Sequence, residues 1–391
     1  MAGDVLSSNF SASGSRRDFF LICGITFLCF LSMTMLVFLP KIMLQHGYNE
    51  VEIGVVMFAS AVPVLAANLT GGVLVGKHGS VPLIVLALVL VTLGIFLVDL
   101  VLDNIVGLLV SRIVFGCGIG LMTTVGMVHA KALLSQRRFM HLFGIYSTMF
   151  TVPFFFGPWL AEAYLSRLGE RHFFLAIDMP VIFGLLLALT LSRSPRPPTG
   201  SRSEPSYRDL LLDERLGRAF MLAGGLGLIW GFPFPFMALT LAPYDIPAAY
   251  FFSFNTAAVV ISRFVLLGQL QDLPRLRIVL IGAIAFVLGY AALVFAVKPV
   301  IVIVAGVLAG IGHGLVFPSL STWVSEQFAP VDRGKPVALF NTIFNAGGYL
   351  VALAGGVLVA AFGMRIMLAL VAATGLALAF GALSRHKPVP A

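Results

Sequence analysis

The sequence predicts an all-α membrane protein of twelve transmembrane helices, arranged as two six-helix bundles. Three observations carry this prediction. Charged residues make up 11% of the 391-residue chain and hydrophobic ones 59%, against about 25% and 45–50% in average soluble chains, so too few charges are left to build a water-facing surface. Apolar runs of spanning length recur from Phe19 to Leu383. A Ser-, Pro- and Arg-rich stretch interrupts them midway, at residues 193–217. Lipid offers backbone groups no hydrogen-bond partners, so a run of about 20 apolar residues must cross as a helix. A transmembrane barrel would instead show alternating segments of about 10 residues.

Residues 1–17 are a polar tail ending in Arg16-Arg17, and the first bundle is expected over 18–192. Its spans run near 18–40, 52–75, 81–101, 104–128, 140–163 and 172–192. The first closes on LVFLPKIML with no small-residue cleavage site, so it reads as a retained helix and not a signal peptide. Residues 193–217 read as a linker followed by a short amphipathic helix on the membrane surface. The second bundle is expected over 218–384, with spans near 218–241, 247–268, 278–297, 299–324, 335–361 and 365–383, before a tail at 385–391. In the seventh span Pro233 and Pro235 remove intrahelical hydrogen bonds, which is tolerated where a helix bends or lines a cavity.

Charge placement sets the orientation and the partners. With both termini inside, eighteen of the 25 Lys and Arg fall in inner loops and five in outer ones, which favours cytoplasmic termini. The net charge of +8 lies in short loops between apolar runs, so the bilayer, and not nucleic acid, is its partner. Cys23, Cys29 and Cys117 lie inside apolar segments and form neither a disulfide framework nor a zinc site. The soft-ligand spacing that copper needs is not evident in the seventh or eighth spans. No metal or cofactor is expected, and no nucleotide-binding loop of the G-x-x-x-x-G-K-[ST] type occurs.

An ionisable side chain inside a span is costly unless paired or solvated, so each is a functional candidate. Arg112 in the fourth span and Arg263 in the eighth are two, although Arg112 can also be a snorkelling or purely structural residue. Arg263 can bind an anionic group or pair with Asp272. Asp178, about two turns into the sixth span, is either a buried carboxyl that takes up a proton or an exposed group at the outer mouth. His313 in the tenth span is either structural or part of the transport path. His129 and Lys131 are expected beyond the end of the fourth span. Candidates for lining a substrate cavity are Met33 and Met35, Trp230 and Phe234, and the pair Asn341 and Asn345, which share a helical face.

Five local motifs, in order, carry a resemblance. GGVLVGKHGS at 71–80, with Gly72, Lys77 and Gly79, is similar to the loop pattern G-x-L-x-D-R-x-G-R-R, with Gly76 in the acidic position. GQLQDLPRLR at 268–277, with Asp272 and Arg275, looks like a second copy. SRIVFGCGIG at 111–120 is similar to R-x-x-x-G-x-G-x-G, with Gly116 and Gly120 available for helix packing. Gly157-Pro158 match a glycine-proline motif, and residues 310–348 resemble a tenth and eleventh span pair.

Together they resemble secondary transporters of the major facilitator superfamily, and within it bacterial sugar-efflux-like and drug–proton antiporter facilitators. The resemblance implies two pseudo-symmetric bundles rocking about a midplane site, with proton coupling linked to Arg112 and a gating role for the two loop copies. It further implies a monomer in the bacterial cytoplasmic membrane that exports a small organic solute in exchange for protons. The departure at Gly76 weakens one cytoplasmic latch. An importer, uniporter or symporter on the same fold is the alternative. A membrane enzyme would need clustered nucleophile, base or metal ligands, which are not found, and a lipid flippase is a remoter option.

Overall fold

The computed structural model describes residues 16–134, 139–192, 206–270, 272–295, 298–328 and 334–383. The expectations for the remaining parts of the tails and the linker lie outside these residues. Ten of the described helices are long and apolar enough to cross a membrane. They are Arg16–Gln45, Glu50–His78, Ser80–Val101, Ile105–Leu133, Glu214–Tyr244, Ala248–Gln269, Arg275–Val294, Pro299–Glu326, Gly334–Phe362 and Met364–Leu383. Phe173–Ala188 is a shorter apolar helix, and the fifth apolar run forms two pieces, Phe139–Thr148 and Pro153–Leu168. The twelve expected spans are thus each represented by helix.

Breaks in the spans follow local chemistry. The first span tightens into a 3-10 turn at Leu36–Phe38, just before Pro40, whose ring nitrogen donates no hydrogen bond. The second is interrupted between Phe58 and Ala61. The fifth breaks before Pro153, a discontinuity the apolar run did not reveal. The seventh breaks at Phe232, where Pro233 starts a new helix. The surface segment expected before the seventh span is a short helix, Tyr207–Leu212, capped by Ser206 and Asp209.

The chain divides into two compact units. One comprises Met1–Leu39 and Ala59–Ser201, the other Pro40–Phe58 and Arg202–Ala391. The end of the first span and the start of the second, Pro40–Phe58, are grouped with the second unit. In that unit Gly54 lies against the eleventh span, where an added Cβ would stand 2.5 Å from the Ala352 carbonyl oxygen.

Each unit is held by close helix approach. Lipid tails are as apolar as side chains, so association in a bilayer comes from packing and small residues, with no hydrophobic drive between helices. In the N-terminal unit a Cβ at Gly118 would stand 2.6 Å from the Ala87 oxygen and the Val91 nitrogen. In the C-terminal unit Gly227 and Gly231 press against the backbone of Phe344 and Gly348.

Candidate functional site

The tenth span reads GIGHG over 310–314, and its glycines decide what His313 meets. A side chain at Gly310 would collide with the Asn255 carbonyl, and one at Gly314 would stand 2.6 Å from the Ser262 Cβ. The eighth span therefore lies directly against this stretch. A Cβ at Gly312 would meet the Phe286 ring at 2.8 Å on the ninth span. His313 is left 7% exposed.

Its Nε2 lies 3.3 Å from Nη2 of Arg263. A guanidinium can only donate, so Nε2 accepts and the ring proton sits on Nδ1. Trp230 stacks on the imidazole with centroids 5.8 Å apart and planes at 25°. Phe317 and Phe344 lie 5.6 and 6.0 Å away, and Phe234 packs 4.6 Å from Trp230. Arg263 belongs to a π-helical turn, Ser262–Leu266, that interrupts the eighth span. Such turns insert a residue into the ladder and recur at functional sites. Ser262 Oγ, Arg263 Nε and His313 Nδ1 are buried with no hydrogen-bond partner among the described residues. Asp272, the alternative partner for Arg263, stands exposed at the turn beyond the helix, and Arg263 engages His313 instead.

The N-terminal unit encloses the other ionisable candidates. Asp178 is 2% exposed. The Thr92 hydroxyl of the third span lies beside it. Its Oδ1 is buried without a hydrogen-bond partner, and it forms no ion pair among the described residues. Arg112 is 6% exposed, with its guanidinium 4.6 Å from the centre of the Phe115 ring.

Gly116 faces the Ser60 carbonyl and Gly120 the Ala67 methyl, at 2.7 and 2.8 Å from an added Cβ. Gly157, followed by the buried Pro158, faces the Thr34 hydroxyl, which donates to the Leu31 oxygen at 2.8 Å. Met35 is buried and Met33 half-buried on the same helix.

Other candidates are more dispersed. Asn341 and Asn345 are half-buried on the eleventh span, flanking the buried Phe344. Gly72 and Lys77 are exposed on the second span, which ends at Gly79 with φ +82°. Arg275 forms an ion pair with Glu326, tying the ninth span to the tenth. His129 is a correction. The fourth span continues to Leu133, so this histidine lies inside it, fully buried, with Nδ1 2.8 Å from Ser80 Oγ.

Sequence reading missed Ser262, Thr92, Phe317 and Phe344. A serine, threonine or phenylalanine inside a span carries no cost that marks it out. Only the alternate glycines at 310, 312 and 314 hinted that helices crowd His313.

The residues gathered in each unit are polar groups inside apolar helices, an arrangement suited to moving a solute. Among the described residues no group of three His, Cys, Asp or Glu is placed to hold a metal ion. No curated protein matches the sequence. Solved structures match the fold closely despite low identity. The nucleoside transporter NupG superposes with a TM-score of 0.77 at 14% identity, covering 94% of this chain and 98% of that one. A POT family transporter in complex with 5-aminolevulinic acid gives 0.79 at 14%, covering 94% and 95%. The human organic anion transporter MFSD10 gives 0.69 at 14%, covering 94% and 99%. The family model for the Major Facilitator Superfamily matches residues 21–301 and 248–391, nearly the whole length. The chain therefore belongs to the Major Facilitator Superfamily and is a multi-pass membrane transporter, not an enzyme.

Proposed function

We propose that the protein exports a small organic solute across the bacterial cytoplasmic membrane in exchange for protons, by alternating access, as a monomer with both termini in the cytoplasm. The observation that carries the proton coupling is Asp178. It is enclosed on the short apolar helix Phe173–Ala188, next to a hydroxyl and with no ion-pair partner among the described residues. An ionised carboxylate there is costly. Neutralising it by a proton removes that cost, so the group has a physical reason to bind a proton in one state and release it in another. Arg112 is the charge in the same unit that the family motif links to this coupling.

Direction and solute class are supported by likeness. The glycine-proline motif at Gly157-Pro158 resembles that of antiporters, and the fold neighbours are carriers of nucleosides and organic anions. The test is transport by the purified chain in vesicles with an imposed pH gradient. Gradient-driven flux is expected in the native protein. Asp178→Asn is expected to abolish the response to pH while leaving solute counterflow intact. Native counterflow that ignores the gradient refutes the coupling. A pH response that survives both Asp178→Asn and Arg112→Ala refutes the assignment of the residues.

A further inference from the structure

Arg263 is a guanidinium inside the eighth span whose sole hydrogen-bond partner among the described residues is an imidazole, not a carboxylate. That partner accepts through Nε2, so it neutralises none of the charge. Burying an arginine at this depth is costly, and the site adds to the cost. His313 Nδ1, Ser262 Oγ and Arg263 Nε are all buried and unsatisfied. Each such group carries its own desolvation penalty. Helix packing alone would be served better by an apolar residue at each of the three positions. An arrangement with unused donors and an uncompensated positive charge is balanced by an acceptor bearing negative charge.

We propose that Ser262, Arg263 and His313 form a subsite for the carboxylate of an organic acid, whose planar apolar body packs on Trp230. Arg263 is half-buried, and its Nη1 is neither bonded nor enclosed among the described residues, so the guanidinium presents that edge to an incoming anion. A planar fork suits two carboxylate oxygens better than a point charge does. The π turn at Ser262–Leu266 sets Ser262 and Arg263 in succession beside the glycines that flank His313, and such turns recur at functional sites. His313 holds the guanidinium at one end and carries the half-buried Trp230 on its face, which links the charged and aromatic parts of the site. Phe234 and Phe344, 4.6 and 5.2 Å from Trp230, extend that apolar wall.

This inference names the solute class for the transport reading and rests on it, but equilibrium binding tests it with no gradient present. The full chain in detergent is titrated with naphthalene-2-carboxylate, with the neutral naphthalene-2-carboxamide, and with naphthyl phosphate, following tryptophan fluorescence. The carboxylate is expected to bind at least tenfold tighter than the amide and tighter than the phosphate. Arg263→Gln should erase the preference over the amide, and Arg263→Lys should keep only part of it. Trp230→Phe should weaken carboxylate and amide alike. Because the ratio is read within each variant, a partly misfolded fraction does not alter it.

Equal binding of carboxylate and amide, a preference that survives Arg263→Gln, tighter binding of the phosphate, or no saturable binding overturns the proposal. None of those results touches the pH-gradient experiment, and a failure of that experiment leaves the binding ratio standing.

Discussion

Substituting alanine at Gly118 tests whether the N-terminal unit is held by backbone approach. The new Cβ would stand 2.6 Å from both the Ala87 oxygen and the Val91 nitrogen, and 2.8 Å from Val91 Cγ2. Ordinary contact needs about 3.5 Å, so the third and fourth spans must part by about 0.9 Å, and the atoms in the way are largely backbone that cannot swing aside. A gap of that size forfeits roughly a quarter to a half of a contact worth about 0.1–0.2 kcal/mol. Over roughly forty atom pairs along the seam, the loss is about 2 kcal/mol, within the usual cost of overpacking.

Alanine is also a better helix former than glycine, by about 0.5–1 kcal/mol, which would hide part of the effect. Gly72→Ala supplies the control, since it lies within a helix and an added Cβ there meets nothing within 4 Å. The difference between the two variants isolates the packing term at about 2 kcal/mol. It is read by circular dichroism as dodecyl sulfate displaces a mild detergent from the folded protein. Unfolding free energies for the two variants that agree within about 0.5 kcal/mol would refute the packing argument.

Two further predictions concern the start of the seventh span. The Arg218 guanidinium donates to the Gly381 oxygen at 2.5 and 3.0 Å and to the Ala382 oxygen at 3.2 Å, satisfying carbonyls at the end of the last span. Arg218→Met keeps most of the apolar stem and should cost about 1.5–3 kcal/mol, the range for hydrogen bonds to a charged group, as a lower thermal midpoint. No change in midpoint would remove the cap from the stability account. Asp213 caps the same span through the Arg215 amide, and its bond to the Arg215 side chain holds the carboxyl below the usual range. A lowered folded value contributes stability above the unfolded value of about 3.9 and loses it as the pH falls through the folded value. Asp213→Asn should therefore flatten that small acid-side loss and leave the midpoint's dependence above pH ~5 unchanged. A mutant as acid-sensitive as the native chain below pH ~4 argues against the linkage.

How much was legible in advance depended on what lipid penalises. Arg112, Asp178, Arg263 and His313 stood out because charge or polarity inside an apolar run is expensive wherever it points. The enclosure of Asp178 beside Thr92, the bond from Arg263 to His313, and the burial of His129 against Ser80 did not stand out. A helix surrounded by lipid on one side and protein on the other is apolar all round, so periodicity does not say which face meets a neighbour.

The sequence by itself determined the spans and their number, because unpaired backbone groups in hydrocarbon leave the helix as the one local solution. Tertiary structure alone decided which polar groups meet. It also decided that Pro40–Phe58 belongs to the unit of the C-terminal spans, with Gly54 against Ala352. Such choices rest on shape, on where a missing side chain lets two backbones touch, and shape at a helix surface exists only once the partner helix is in place.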